Sequence, residues 1–183
     1  MNDAAFNTRG NRGDWIQTYT GRRFYPLDPQ PDDICIEDIA HALALTCRYN
    51  GHSREFYSVS EHAVRMSRAD LPGSPAWRLM HDAAEAYLSD VPRPIKPMLP
   101  EFYVIENSIL NVIACRFDLG ELPREIKHAD MVMLATERRD VLVQGGPEWG
   151  IDLPEPLPFP IQPWSWLKSE IEFLCRAEEL GIK

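Results

Sequence analysis

The chain has 183 residues, a formal net charge of −9 and a hydrophobic fraction of 44%. This length suits a single domain, which we expect to span residues 1–183, and the apolar fraction is sufficient for a packed core. The acidic balance argues against a partner with an extended anionic surface, so we expect neither a nucleic acid polymer nor a membrane as a partner. No stretch is apolar over a membrane-spanning length, and residues 1–14 lack a signal-peptide pattern, which predicts a cytoplasmic protein.

The four cysteines lie far apart in the sequence and form no CxxC motif. They are Cys35, Cys47, Cys115 and Cys175. Their spacing predicts small buried side chains in a reducing compartment, and it argues against both a disulfide framework and a zinc knuckle.

The N-terminal part of the chain contains a turn signal between two short apolar runs. Residues 1–14 are polar and mixed in charge, so we expect a loose lead-in. Residues 15–20 and 23–25 are rich in aromatic and β-branched side chains and flank Gly21 and Arg22. This pattern predicts a small β-hairpin.

Apolar residues recur at helical spacing over most of the remaining chain, which predicts an all-α fold behind the hairpin. The first helix places Ile36, Ile39 and Leu43 on one stripe. The second helix begins near residue 58, where a serine can cap it. Further helices are predicted over residues 76–88, 101–117, 123–143 and 164–181.

The C-terminal part of the chain divides into a loop and a helix. Residues 145–163 hold six prolines, which predicts a loop on the surface. In the helix over residues 164–181, Leu167 and Ile171 are predicted to face the core together with Leu174 and Ala177.

The predicted helix over residues 76–88 carries the first candidate for chemistry. It places His81 and Glu85 four residues apart on one face, with Asp82 leaning toward the same sector. Burying these groups beside an apolar stripe is costly unless a cation satisfies them. A His-Asp pair alone more often lies on a solvated helix face, so the pair needs partners from elsewhere in the chain.

Two other predicted helices supply suitable partners, namely His62 and Asp130. A lone histidine such as His62 is usually a hydrogen-bonded core residue, whereas Asp130 lies among apolar residues and needs a partner. With His81 and Asp82 they make two imidazoles and two carboxylates. Such a set suits one divalent ion of Mn, Co, Fe, Ni or Zn, with Mg less well matched. Glu85 is then a general acid or base near metal-bound water.

Two further segments have both a structural and a functional interpretation. Arg48, Tyr49 and His52 lie where the first helix ends, and they are either an exposed cap or a phosphate clamp, an aromatic wall and a polar contact. Asp90 and Lys96 lie on a proline-rich segment, which is either an ordinary rigid loop or a second wall of the pocket. There Asp90 would accept from a substrate hydroxyl and Lys96 would lie near charge.

Three other polar residues are predicted to be structural or exposed. His41 lies on the first helix away from its apolar stripe, and His128 precedes Asp130. Glu137 is placed on the charged outer face of its helix, although its position two turns after Asp130 allows it to reach the pocket.

Five segments together carry a family resemblance: residues 47–52 (CRYNGH), 57–62 (YSVSEH), 80–87 (MHDAAEAY), 90–96 (DVPRPIK) and 129–140 (ADMVMLATERRD). They resemble the HD-domain metal-dependent phosphohydrolases, and within these the small bacterial and phage proteins similar to 5′-deoxynucleotidases. The resemblance extends from about residue 15 to about residue 140.

The resemblance implies a helical HD-domain bundle that binds one divalent metal ion through His62, His81, Asp82 and Asp130. It implies that Glu85 is the catalytic carboxylate, that Arg48 engages the phosphate and that Asp90 engages the sugar. Related nucleotidases have a tryptophan packed against the deoxyribose at the next position, where this chain has Tyr49.

We therefore expect a hydrolase that removes phosphate from deoxynucleoside 5′-monophosphates. An alternative is a deoxynucleoside triphosphate triphosphohydrolase, which would need more cations, with Lys96, Arg93 and Arg138 as candidates. A non-catalytic nucleotide sensor is the alternative from another class. Apolar residues to spare, such as Trp164 and Trp166, lead us to expect a homo-oligomer.

Overall fold

The hairpin lies at the start of the part that the computed structural model describes, residues 12–183. Most of the predicted N-terminal lead-in, residues 1–11, lies outside it. Strands β1 (Ile16–Gln17) and β2 (Arg23–Phe24) pair antiparallel, with Ile16 opposite Phe24. The rest of the described chain contains helices and connecting segments, so the predicted helical fold with an N-terminal hairpin is confirmed.

The α-helices of the described residues are α1 (Ile36–Leu45), α2 (Val59–Arg68), α3 (Pro75–Met80), α4 (Glu85–Leu88), α5 (Pro100–Arg116), α6 (Ile126–Asp140) and α7 (Trp166–Glu179). Short 3-10 helices span Pro31–Asp33, Arg48–Gly51 and Lys96–Met98. None of these helices has both the length and the apolar character that a membrane crossing requires.

Helix α2 is the central helix of the fold, since it packs against α1, α3 and α7 and also touches α6. It begins at Ser58, whose hydroxyl accepts a hydrogen bond from the Glu61 backbone N–H at 3.0 Å. Contact on several sides leaves most of its residues buried, including the polar side chain of His62. A polar side chain in that position must find its partners within the protein.

The predicted helix over residues 76–88 is not continuous, which corrects the sequence analysis. It is divided into α3 and α4 by a turn at residues 81–84, in which Ala83 N–H donates to the Met80 carbonyl and Glu85 N–H donates to the Asp82 carbonyl. These bonds span three residues, as in a 3-10 helix, and the turn is tighter than an α-helix. His81 and Glu85 are therefore not stacked as neighbours on one α-helical face.

The orientation of α7 differs in part from the prediction: Ala177 is buried and Leu174 packs against the core as expected, but Leu167 and Ile171 do not. Its buried residues are Ser169, Phe173 and Ala177, whereas Leu167 and Ile171 are 51% and 52% exposed. The helix has apolar residues on two faces, so apolar spacing alone does not select the face that packs against α1 and α2.

The cysteines differ from the prediction in part. Cys35 is buried and Cys47 is partly buried, but Cys115 and Cys175 are exposed. Both exposed cysteines lie on long helices, α5 and α7. Their positions along these helices place them on the side that faces away from the core.

The segment between α6 and α7 has no helix or strand over residues 145–163. Hydrogen bonds from its backbone attach it to α6: Leu157 N–H donates to the Thr136 hydroxyl at 2.8 Å, and Ile161 N–H donates to the Asp140 carboxylate at 2.8 Å. The six prolines of this segment have no backbone N–H, which works against a helix or strand there. Side chains of α6 accept hydrogen bonds from two of the remaining backbone N–H groups.

Candidate metal centre

Three of the four predicted metal ligands converge from separate parts of the chain. They are His62 on α2, His81 directly after α3, and Asp130 on α6. The Nε2 atoms of the two histidines are 3.3 Å apart, and His62 Nε2 lies 3.4 Å from Asp130 Oδ1. One ligand atom from each of the three residues lies within 4.8 Å of the others, so this group could hold a metal ion.

The spacing of the two nitrogen atoms fits ligation of one cation. Imidazole nitrogen binds zinc at about 2.1 Å, so neighbouring ligands around such an ion lie roughly 3.0–3.5 Å apart. Two imidazole nitrogens and one carboxylate oxygen make the mixed donor set that suits transition-metal ions better than Mg²⁺. Exposure increases from His62 at 0%, through His81 at 9%, to Asp130 at 40%, so solvent reaches the group from the Asp130 side.

The other ring nitrogen of each histidine already has a partner. His62 Nδ1 lies 2.5 Å from the Glu137 carboxylate, and His81 Nδ1 lies 3.1 Å from the Arg78 backbone carbonyl. Both partners are acceptors, so each Nδ1 donates its proton to one of them, and Nε2 is the ring nitrogen that remains for a metal ion. Hydrogen bonding of this kind fixes the tautomer and the ring orientation of metal-binding histidines.

The structure decides between the two positions that the sequence leaves open for Glu137. Its side chain does not lie on the charged outer face of its helix: it is 0% exposed and accepts hydrogen bonds from several donors. Besides His62, these donors are the hydroxyl groups of Tyr49 and Tyr57, and Arg48 Nη2 lies at 3.2 Å. The spacing of seven residues from Asp130 was the available signal, because two helical turns return to the same face.

The pKa values reflect this concentration of charge. Burial lowers the pKa of His62, but the carboxylates of Glu137 and Asp130 outweigh it and raise the value to about 9. Burial raises the pKa of Glu137, yet Arg48 and His62 bring it down to about 2. The surroundings of His62 Nε2 therefore stabilise positive charge, as a cation site requires.

Asp82 lies beside the group of three. Its Oδ2 is 3.2 Å from His81 Nε2 and 4.0 Å from His62 Nε2, and Arg48 Nη1 lies 3.5 Å away. Burial opposes ionisation of Asp82, but His81, His62 and Arg48 keep its pKa below the usual range. Its oxygen is thus charged and adjacent to both imidazoles, and its place among the ligands stays a prediction.

Glu85 is buried near the same group. Its Oε2 has no hydrogen-bond partner, and its Oε1 lies 3.7 Å from Lys96 Nζ. Burial, together with the negative charges of Asp82 and Asp90, raises the pKa of Glu85 well above its usual value. A buried carboxyl group with an unpartnered oxygen can take up and release a proton.

Lys96 and Asp90 border Glu85. Lys96 Nζ lies 2.9 Å from the Glu106 carboxylate on α5, so this lysine bridges two acidic groups. Burial and the charge of Asp82 raise the pKa of Asp90, although Arg48 and Lys96 oppose the shift. Through Lys96 the proline-rich segment reaches Glu85, and the place of Asp90 in the site stays a prediction.

Of the three predicted substrate contacts at the end of α1, Arg48 and Tyr49 contact carboxylates inside the protein, and His52 is exposed. Arg48 is mostly buried, with a side chain that is 12% exposed between Glu137 and Asp82, and its Nε atom is unpartnered. Tyr49 directs its hydroxyl at Glu137 and away from solvent. His52 is exposed, and among the described residues its side chain makes no hydrogen bond.

The other polar residues that we considered from the sequence point elsewhere. His41 contacts Glu170 at 3.2 Å and stacks on Tyr19, and His128 is exposed. Arg93 is exposed, and Arg138 donates to the Pro147 carbonyl and lies over the Trp149 ring.

Sequence comparison places the chain in a protein family. It is 42% identical over 139 residues to the Uncharacterized protein YfdR of Escherichia coli (strain K12), covering 75% of this chain and 78% of that protein. It is 35% identical over 142 residues to the Uncharacterized protein RCAP_rcc00048 of Rhodobacter capsulatus, covering 69% and 72%. The chain therefore belongs to the family of these two proteins. No family model matches it.

Proposed function

We propose that this chain is a metal-dependent phosphohydrolase of the HD-domain type that removes phosphate from deoxynucleoside 5′-monophosphates. The observation that carries the proposal is the convergence of His62, His81 and Asp130 from three segments, with both imidazole Nε2 atoms facing one point. Glu85 lies in the same site with an unpartnered carboxylate oxygen. Ligands beside a buried carboxyl group are the arrangement that metal-assisted hydrolysis needs.

Each polar residue of the site has a part in this reaction. A divalent ion held by His62, His81 and Asp130 would polarise a phosphoryl oxygen and lower the pKa of bound water. Glu85 accepts the proton of the attacking water and returns it to the leaving 5′ oxygen. The raised pKa of Glu85 supports this assignment, because burial and neighbouring negative charges make its carboxylate a stronger base than an exposed glutamate.

Arg48 is proposed to bind the phosphate. Its guanidinium group lies 3.2 Å from Glu137 and 3.5 Å from Asp82, which are long distances for ion pairs. A phosphate oxygen can replace these contacts with shorter, charge-assisted hydrogen bonds. Asp90 is proposed to accept a hydrogen bond from a sugar hydroxyl.

We propose a monophosphate substrate and not a triphosphate because of the positions of the basic side chains that could bind further phosphate groups. A triphosphohydrolase needs positive charge over the β- and γ-phosphates, but Arg138 contacts the loop after α6. Lys96 is already neutralised by Glu106 and lies near Glu85. The remaining candidate, Arg93, is exposed.

The proposal is tested by a phosphate-release screen over deoxynucleoside and ribonucleoside mono- and triphosphates, run in parallel with Mn²⁺, Co²⁺, Ni²⁺ and Mg²⁺. The expected result is metal-dependent release of orthophosphate and nucleoside from deoxynucleoside monophosphates. Release of tripolyphosphate would support the triphosphohydrolase alternative. Nucleotide binding without turnover under every metal would contradict an enzymatic role and support a sensor.

A further inference from the structure

The backbone at Tyr49 adopts a conformation that a residue with a Cβ rarely takes. Its φ and ψ angles are 56° and 28°, and Asn50 follows in the same left-handed region at 50° and 31°. This left-handed conformation is unfavourable for residues other than glycine, so contacts with the surrounding structure must maintain it. The contacts of the Tyr49 side chain therefore indicate what this residue does.

The Tyr49 hydroxyl donates a hydrogen bond to Glu137 Oε2 inside the protein. The other oxygen of the same carboxylate, Oε1, receives the Tyr57 hydroxyl at 3.0 Å and His62 Nδ1 at 2.5 Å. The backbone segments that carry the two tyrosines are also hydrogen-bonded to each other. The N–H of Arg48, the residue before Tyr49, donates to the Tyr57 carbonyl at 2.9 Å. Glu137 is thus held on both oxygens, and no water reaches it.

We infer that Tyr49 is a positioning residue for the metal centre and not a wall for the substrate. Its hydroxyl holds Glu137, Glu137 holds the His62 Nδ1–H group, and His62 Nε2 is thereby aimed at the cation. The inference rests on the metal centre of the proposed function. It differs from the role that the family resemblance implies for an aromatic residue at this position.

The need for a hydroxyl at position 49 follows from the role of Arg48. Without that hydroxyl, Arg48 Nη2 at 3.2 Å is the remaining partner of Glu137 Oε2. A substrate phosphate that draws Arg48 away would then leave a buried carboxylate oxygen unpaired, which is unfavourable. Tyr49 lets Glu137 keep a donor on each oxygen while Arg48 turns to the phosphate.

The test is Co²⁺ binding to Tyr49→Phe, measured by calorimetry and by the visible absorption of the bound cobalt. Phenylalanine keeps the ring and removes only the hydroxyl. The matched control is Tyr103→Phe, since the Tyr103 ring is 61% exposed. Tyr57→Phe is a second variant, because it removes the donor to the other carboxylate oxygen. Circular dichroism without metal confirms that each variant is folded.

We expect Tyr49→Phe to bind Co²⁺ about tenfold more weakly than the unchanged chain, with an altered cobalt spectrum. Tyr57→Phe is expected to change affinity in the same direction, and Tyr103→Phe is expected to match the unchanged chain. Equal affinity in Tyr49→Phe and the unchanged chain would overturn the inference alone. Failure of the unchanged chain to bind Co²⁺ would overturn both the inference and the proposed metal centre.

Discussion

His62 and Glu137 are joined by a hydrogen bond of 2.5 Å between Nδ1 and Oε1, and both side chains are fully buried. The bond leaves His62 Nε2 to face the site, 3.3 Å from His81 Nε2 and 3.4 Å from Asp130 Oδ1. Two imidazole nitrogens this close to each other and to a carboxylate are stabilised when a cation lies between them. Glu137 is therefore as necessary to the geometry of the site as the ligand residues are.

Glu85→Gln is expected to lower kcat for phosphate release at least about a hundredfold, because the amide cannot exchange a proton with water. Metal affinity should change less than twofold, since Glu85 is outside the group of three ligand residues. Steady-state kinetics and a Mn²⁺ titration of the same preparation measure the two effects. Turnover at the unchanged rate would show that another group carries the proton.

Lys96→Met is expected to lower kcat about tenfold while KM changes less than twofold. Lys96 Nζ lies 2.9 Å from Glu106 and 3.7 Å from Glu85, so its charge acts on Glu85 and not on a phosphate. Initial rates over a range of substrate concentrations separate the two constants. A rise in KM at unchanged kcat would instead indicate a phosphate contact and would support the triphosphohydrolase alternative.

Arg78→Met is expected to lower the free energy of unfolding by about 3 kcal/mol, because five backbone carbonyl oxygens lose the same buried donor group. The guanidinium group donates to the carbonyls of Leu71, Pro72, Gly73, Ser67 and Ala69. Urea denaturation measures the change. Arg124→Met is the matched control, since Arg124 is exposed. Similar stability of both variants would contradict the assigned role of Arg78.

Asp140→Asn is expected to weaken the dependence of stability on pH in the acidic range. Hydrogen bonds from Arg139 hold the pKa of Asp140 below its usual value. A carboxylate with a lowered pKa stabilises the fold above its unfolded pKa of about 4, and this contribution is lost as the pH falls. The effect is below about 1 kcal/mol, because the pair is partly screened by solvent.

Thermal denaturation from pH 7 to pH 3 measures this effect. Between pH 7 and pH 3 the Tm of the unchanged chain should fall further than the Tm of Asp140→Asn. Asp140 also accepts the Ile161 backbone N–H, and the amide oxygen of asparagine can accept the same bond, so the variant should keep the segment after α6 in place at pH 7. Parallel Tm curves for the two proteins would show that the Asp140 carboxylate contributes nothing to acid sensitivity.

The helices and three candidate ligands were predictable because their patterns are local or their chemistry is distinctive. Apolar spacing located α1, α2, α5 and α6, and the need of buried imidazole and carboxylate groups for partners selected His62, His81 and Asp130. The metal, the reaction and the substrate remain predictions, since they depend on what binds at this group.

Other features were not predictable from spacing. The turn at residues 81–84 interrupts a segment whose apolar stripe is continuous, and the carbonyl of Arg78 there accepts from the His81 ring. The seven-residue spacing from Asp130 allows Glu137 to face the site, but its hydrogen-bond donors lie 75 to 88 residues away in the sequence and are brought to it by tertiary packing. In α7, two apolar faces left the choice to tertiary packing.

The most direct test of the metal centre is a crystal structure of the chain grown with Mn²⁺, with anomalous scattering recorded at the manganese edge. We expect one peak about 2.1 Å from the Nε2 atoms of His62 and His81, with an Asp130 oxygen also in the coordination sphere. The same map decides whether Asp82 completes the set. A peak elsewhere, with His62 Nε2 unligated in a chain that still releases phosphate, would show that His62 and His81 do not hold the catalytic metal ion.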